Sequence, residues 1–95
     1  MYVNIVSFKV REGEDIIFLE LQKFEEKYHA KPSGLDHFHI FKDLNNDHVY
    51  HLVEYWDSKE HHDQLEQSEE HQYFHDMRDF AIEKKYDNFE CAVIV

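Results

Sequence analysis

Gly13, Pro32 and Gly34 are the only glycines and proline in the chain, so few places allow a sharp break and the segments between them must be long. Residues 2–10 (YVNIVSFKV) are β-branched and aromatic without interruption and stop at Arg11-Glu12-Gly13, which predicts a strand. From about Glu14 to Ala30 the apolar Ile17, Leu21, Phe24 and Tyr28 recur at i, i+4, i+7 and i+11. That spacing predicts an amphipathic helix, stopped by Lys31-Pro32-Ser33-Gly34. Residues 35–43 and 48–57 read as an antiparallel hairpin around Leu44-Asn45-Asn46-Asp47. Ser58 and Ser68 have N-cap chemistry, so residues 59–67 form one short polar helix, and a second piece follows with Tyr73, Phe74, Met77 and Phe80. Residues 89–95 close the chain as a strand. The order β-α-β-β-α-β is the α+β, ferredoxin-like split βαβ, an antiparallel four-stranded sheet with its helices on one face. Two cores in 95 residues would each be too small to fold unaided, so residues 1–95 are one domain.

Both faces of that sheet carry apolar side chains. Tyr2, Val6 and Phe8 alternate with Val3 and Ile5, and Tyr50, Leu52 and Trp56 alternate with Val49, Val53 and Tyr55. Helices cover one face only, so a homodimer packed sheet to sheet is the expected cover for the other. Ten Lys and Arg against 21 Asp and Glu give a net charge of -11, a field that repels phosphate backbones and anionic lipid surfaces. Neither nucleic acid nor membrane is an expected partner. The lone Cys91 has no internal disulfide partner, no apolar run approaches a membrane span, and the first residues alternate rather than forming a basic and apolar leader. The chain reads as cytoplasmic.

The run Tyr55-Trp56-Asp57-Ser58-Lys59-Glu60, followed by Leu65, Ser68, His71 and Phe74, resembles the antibiotic biosynthesis monooxygenase family. In that family a strand ends in an aromatic, a Trp and an acidic or polar residue, and a Ser leads into the helix. The resemblance implies a dimeric α/β barrel of ferredoxin-like subunits, each with an aromatic cavity between helices and sheet. Family enzymes oxygenate small electron-rich aromatics or quinols without metal or flavin, because the substrate anion itself supplies electrons to dioxygen. The protein then provides a base and a dry, shaped pocket. A second branch, the haem-degrading monooxygenases, uses an Asn on the first strand, a Trp in the helix region and a His that ligates iron. Asn4 and His75 stand at the positions of that Asn and that His. Leu65 stands where the haem branch has its Trp and where many cofactor-independent members have a His.

The expected site therefore has His75 as base and Asn4 as the polar partner of a developing oxyanion or of dioxygen, with no cofactor and no metal. Tyr2, Tyr50, Trp56, Leu65 and Phe74 are its expected lining, contacting a small aromatic ligand. Haem with His75 on iron is the alternative. A third reading is a non-enzymatic dimer, a small-molecule-binding or stress-response module, and it turns on whether the eight Phe fill the cavity. His71 and His75 are at i, i+4 with Asp79 one turn on, a spacing open to metal binding but also that of a wet helical face. His37 and His39 point to one side of their strand beside Leu35 and Phe41, with His51 on the neighbouring strand. Cys91 is expected to pack rather than react.

Overall fold

The computed structural model describes all of residues 1–95. The elements are β1 (Tyr2–Val10), α1 (Asp15–Glu25), β2 (Leu35–Lys42), β3 (Val49–Trp56), α2 (Lys59–Glu66), α3 (Glu69–Asp79), β4 (Ile82–Lys85) and β5 (Phe89–Ala92). A π-helical turn, Glu26–Ala30, and a 3₁₀ turn, Lys31–Ser33, extend α1 before Gly34 reverses the chain at φ 122°. A Cβ at Gly34 would lie 2.8 Å from both Asp57 Oδ1 and His61 Nδ1, so the turn is closed to side chains. Both serine caps form: Ser58 accepts from the His61 N–H and Ser68 from the His71 N–H.

The sheet is antiparallel in the order β2-β3-β1-β4, with β5 also on β1. β3 pairs along β1 from Tyr2↔Trp56 to Lys9↔Val49. The other edge of β1 holds β4 against Phe8–Val10 and β5 against Tyr2–Ile5. The expected final strand over 89–95 is thus shorter, ending at Ala92, and the fourth position of the sheet is shared with β4, which the sequence reading did not contain. Ile82-Glu83-Lys84-Lys85 has one apolar residue in four and no alternation, so only its pairing with β1 makes it a strand.

Two differences in register matter. A bulge between Leu35 and His37 turns Leu35 to the helix side, where it is buried beside Trp56, rather than leaving it in line with His37, His39 and Phe41. Helix α1 also faces the other way from its apolar stripe. Ile17, Phe24 and Tyr28 are about half exposed or more, and the inward face is Phe18, Gln22, Glu25 and Glu26. The inward side chains find polar partners on other elements, which a wheel drawn from α1 alone does not reveal. The π turn lets the adjacent Glu25 and Glu26 both be buried.

The core divides into two clusters under the helices. Phe8, Val10, Phe18, Tyr50, Leu52, Ala81 and Ile82 form one, and Ala30, Leu35, Trp56 and Leu65 the other. The space between them is the candidate site. No helix is long and apolar enough to cross a membrane.

Candidate active site

A cavity of about 260 Å³ opens between α1, α2, α3 and the helix-side face of β1 and β3. Val6, Phe8, Leu52, Trp56, Leu65 and Phe74 supply its apolar wall. Alternation along β1 brings Asn4, Val6 and Phe8 to this face, and the same alternation along β3 brings Leu52, Glu54 and Trp56 opposite them. Of the expected site residues, Asn4, Trp56, Leu65, Phe74 and His75 line the cavity together. Tyr2 and Tyr50 do not. Tyr50 packs with Phe18 in the first cluster and donates to Asp15 Oδ2 at 2.6 Å, while Tyr2 donates to Glu90 Oε1 at 2.8 Å. Only Phe8 and Phe74 of the eight Phe border the cavity, so the phenylalanines leave it open.

The sheet side of the cavity is a hydrogen-bonded amide and carboxyl group. Asn4 Nδ2 donates to Glu54 Oε1 at 3.3 Å, and Asn4 Oδ1 accepts from Asn88 Nδ2 at 2.6 Å. One N–H of the Asn4 amide is then uncommitted. Trp56 Nε1 donates to the same Glu54 oxygen at 3.4 Å. Glu26 enters from the π turn: its Oε1 accepts from Gln22 Nε2 at 2.8 Å. Burial pushes the Glu26 carboxyl well above its ordinary range, and the neighbouring Glu54 carboxyl pushes it further. Glu26 Oε2, buried and without a partner as an acceptor, gains one when protonated, because it then donates to Glu54. Burial and the facing Glu54 carboxylate thus both favour the protonated form of Glu26.

The helix side is an ion-pair chain. His71 Nδ1 lies 2.6 Å from Glu25 Oε2, and His71 Nε2 lies 3.2 Å from Glu66 Oε1. Burial opposes charge on His71, but the hydrogen bonds to Glu25 and Glu66 outweigh it and push the imidazole up to about 9, so both nitrogens donate at neutral pH. Burial likewise opposes charge on Glu25, yet His71 and His29 hold it below the usual carboxylate range. Arg78, 4% exposed, stacks over the Phe8 and Phe74 rings and donates to Gln22 Oε1 at 3.3 Å. It also donates to His75 Nδ1 at 3.0 Å. A guanidinium has no lone pair to offer, so His75 Nδ1 must be the acceptor and its proton sits on Nε2, which faces Glu66 Oε2 at 3.6 Å.

These contacts give several of the histidines their partners. The third group near His71 and His75 is Glu66, with ligating atoms of the three within 4.8 Å of one another. Asp79, one turn beyond His75 on α3, pairs with Arg78 and Lys85 instead. With His71 protonated and His75 Nδ1 bound to Arg78, the three groups form an ion-pair chain. On the opposite face of the sheet, His37 stacks on Tyr55 with ring centroids 4.1 Å apart and lies 5.9 Å from the His39 ring. His51 is used at both nitrogens, by Ser7 Oγ at 2.7 Å and Asp43 Oδ2 at 2.8 Å, so the three rings do not converge. Cys91 is exposed rather than packed, on the short β5 at the sheet edge.

Several residues of the cavity were not singled out by the sequence: Glu26, Glu54, His62, Glu66, Arg78 and Asn88. The signal available for Glu26 was a charged residue on the non-apolar side of α1, which marks solvent more often than an interior.

Comparison with known proteins bears on the same framework. The profile of the family described as antibiotic biosynthesis monooxygenase matches residues 1–77. No curated protein matches the sequence. Among solved structures, a Nitrosomonas europaea protein bearing the family's name superposes with a TM-score of 0.84 at 15% identity, covering 100% of both chains. SnoaB of Streptomyces nogalater, a cofactor-independent oxygenase, gives a TM-score of 0.84 at 10% identity, covering 97% of this chain and 91% of that one. A conserved protein of Methanosarcina mazei gives 0.81 at 16% identity, over 96% of this chain and 91% of that one. At these identities the superpositions establish the fold, and the profile match over most of the sequence carries the relationship. The chain belongs to the antibiotic biosynthesis monooxygenase family.

Proposed function

We propose that this protein is a monooxygenase that oxygenates a small electron-rich hydroxyarene or quinol in the cavity between helices and sheet, without metal or flavin. The observation that carries this reading is a cavity of about 260 Å³ with an apolar wall of Val6, Phe8, Leu52, Trp56, Leu65 and Phe74 and with Asn4 and His75 among its polar lining. That volume suits a one- or two-ring aromatic. The uncommitted Asn4 N–H and the His75 Nε2–H serve as donors to the substrate oxygen, holding negative charge there as the hydroxyl ionises. The ionised ring gives electrons to dioxygen at a ring carbon that carries hydrogen. One oxygen atom remains as the new quinone carbonyl; the other leaves as water with the hydroxyl hydrogen and the ring hydrogen. The neighbouring SnoaB, named as a cofactor-independent oxygenase, supports this class of chemistry by analogy of family and fold.

Haem does not fit these residues. A haem macrocycle is larger than the cavity, Leu65 replaces the Trp of the haem branch, and His75 keeps its Nε2 proton while Arg78 occupies Nδ1. His75 as an iron ligand would have to give up both arrangements. In this reading His75, protonated at Nε2, acts as a donor in place of the base expected from the sequence.

A homodimer packed through the open sheet face completes the proposal, in the cytoplasm. Ile5 pairs with Val53 and Phe89 on that face, and Phe89 and Phe41 are more than half exposed, a surface suited to burial against a second copy.

Trp56 is the only tryptophan and lies in the cavity wall, so its fluorescence reports occupancy. Dihydroxynaphthalene is expected to quench it saturably, and Val6→Phe, which puts a ring into the cavity, is expected to raise the dissociation constant at least tenfold. Quenching unchanged by Val6→Phe would place the ligand elsewhere and remove the cavity as the site.

A further inference from the structure

Asn4 and His75 both reach the cavity as donors, which leaves the hydroxyl proton without a taker. The candidates are few. Glu26 is held toward its protonated form by burial and by Glu54, and His71 has both ring nitrogens engaged, by Glu25 and by Glu66. One polar atom of the cavity wall is buried and has no partner by either role: His62 Nε2.

His62 is held for this. It lies on α2, 8% exposed, with its Nδ1 3.0 Å from Asp63 Oδ1. A carboxylate only accepts, so Nδ1 carries a proton, and in the neutral ring Nε2 presents a lone pair. The ring is fixed edge-on to the Trp56 indole, centroids 5.4 Å apart at 80°, and against the Tyr2 ring at 5.1 Å. Glu66 Oε1 stands 3.6 Å from Nε2, beyond hydrogen-bond reach of a neutral ring. The groups around His62 are Asp63 and Glu66 from its own helix, with Lys59 bonded to the same Asp63 oxygen at 3.3 Å, the Tyr2 ring from β1 and the Trp56 indole from β3. Leaving a buried nitrogen unpaired is costly in a folded protein, and a ligand that donates a hydrogen bond relieves the cost.

We propose that His62 is the catalytic base of this site, with Asp63 as its positioning residue; the assignment rests on the oxygenase reading above. Nε2 takes the hydroxyl proton of the bound arene, the O–H bond breaks, and its electron pair stays on the arene oxygen beside the Asn4 and His75 donors. The imidazolium so formed lies between two carboxylates, Asp63 at Nδ1 and Glu66 near Nε2, so the new cation is stabilised where it appears. Proton transfer separates no net charge from the site, because cation and anion form together. When the second oxygen atom of dioxygen leaves as water, the proton returns to it from Nε2, and His62 is neutral for the next turnover.

The test uses 4-nitrophenol as probe under argon, because its anion absorbs at longer wavelength than its neutral form and no oxygenation intervenes. Trp56 quenching measures how much probe binds, and the absorbance measures how much of the bound probe is ionised. At pH 6 the wild-type protein is expected to raise the ionised fraction of bound probe at least tenfold over free probe. His62→Phe keeps a ring between Trp56 and Tyr2, and is expected to bind the probe with similar affinity but in its neutral form. Turnover of a hydroxyarene in air is expected to fall about 10²- to 10⁴-fold in His62→Phe, and to recover as pH rises and the substrate ionises by itself. His62→Gln, smaller and polar, is the second variant should His62→Phe fail to fold, with the same expectation. Asp63→Asn is expected to lower the ionised fraction severalfold with unchanged probe affinity. Ionised probe in both wild type and His62 variants overturns the base assignment and leaves the oxygenase reading standing, as does neutral probe bound by wild type. Failure of wild type to bind any hydroxyarene overturns both.

Discussion

Replacing His71 by Leu is expected to lower the stability of the fold by about 3 kcal/mol at neutral pH, or on the order of 15 °C in Tm for a domain of this size. The cost arises from what the ring leaves behind rather than from its own packing. Glu25 is 1% exposed and loses its His71 bond, keeping only the half-exposed His29, and Glu66 loses its 3.2 Å partner. A buried carboxylate with half its partners removed must lose charge or draw in water. The effect has a definite pH dependence. The imidazole is pushed up from an ordinary 6.5 to about 9 in the folded chain, so folding stabilises its protonated form. That contribution is fully present below about pH 6.5 and is lost as pH rises through about 9. The difference between wild type and His71→Leu should therefore be largest near pH 6 and shrink by pH 9.5, by chemical denaturation at each pH. An equal difference at both would mean that the ring acts by packing alone.

Val53→Glu is expected to convert a dimer into a monomer while leaving the subunit folded. Val53 sits at the middle of the open sheet face, between Ile5 on β1 and His39 on β2. In an isologous interface the substitution enters twice, and each carboxylate is desolvated without a partner. A penalty of several kcal/mol weakens association by about a hundredfold or more. Sedimentation at micromolar concentration should give twice the chain mass for wild type and the chain mass for Val53→Glu. A wild-type protein that sediments as a single chain would remove the dimer, and a dimeric Val53→Glu would place the interface on another face.

The sheet and the helix starts were legible because each is written locally. Period-two alternation marks β1 and β3, and Ser58 and Ser68 are caps that satisfy the N–H three residues on. Asn4, Trp56, Leu65, Phe74 and His75 were located by family likeness, and the cavity gathers all five. What stayed hidden is written across the sequence rather than along it. Glu25 meets His71 from 46 positions away, Asn4 meets Glu54 from 50, and Asn88 meets Asn4 from 84. A polar pair of that kind turns α1 so that Gln22, Glu25 and Glu26 face inward and its apolar stripe faces out, the reverse of what periodicity predicts. The tautomers of His62 and His75 were equally beyond reach. They depend on whether the neighbour is a carboxylate, as Asp63 is, or a guanidinium, as Arg78 is.

The proposal gives the two histidines opposite parts: His62 accepts a proton and His75 donates beside Asn4. The most direct test is dioxygen uptake by protein stripped of metals with a strong chelator and free of flavin absorbance, supplied with a dihydroxynaphthalene. Uptake of one dioxygen per quinone formed, with one labelled oxygen atom in the product from ¹⁸O₂ and abolished by Val6→Phe, is the expected result. Uptake that appears only when metal or flavin is added, or that Val6→Phe leaves unchanged, would contradict a cofactor-independent oxygenase acting in this cavity.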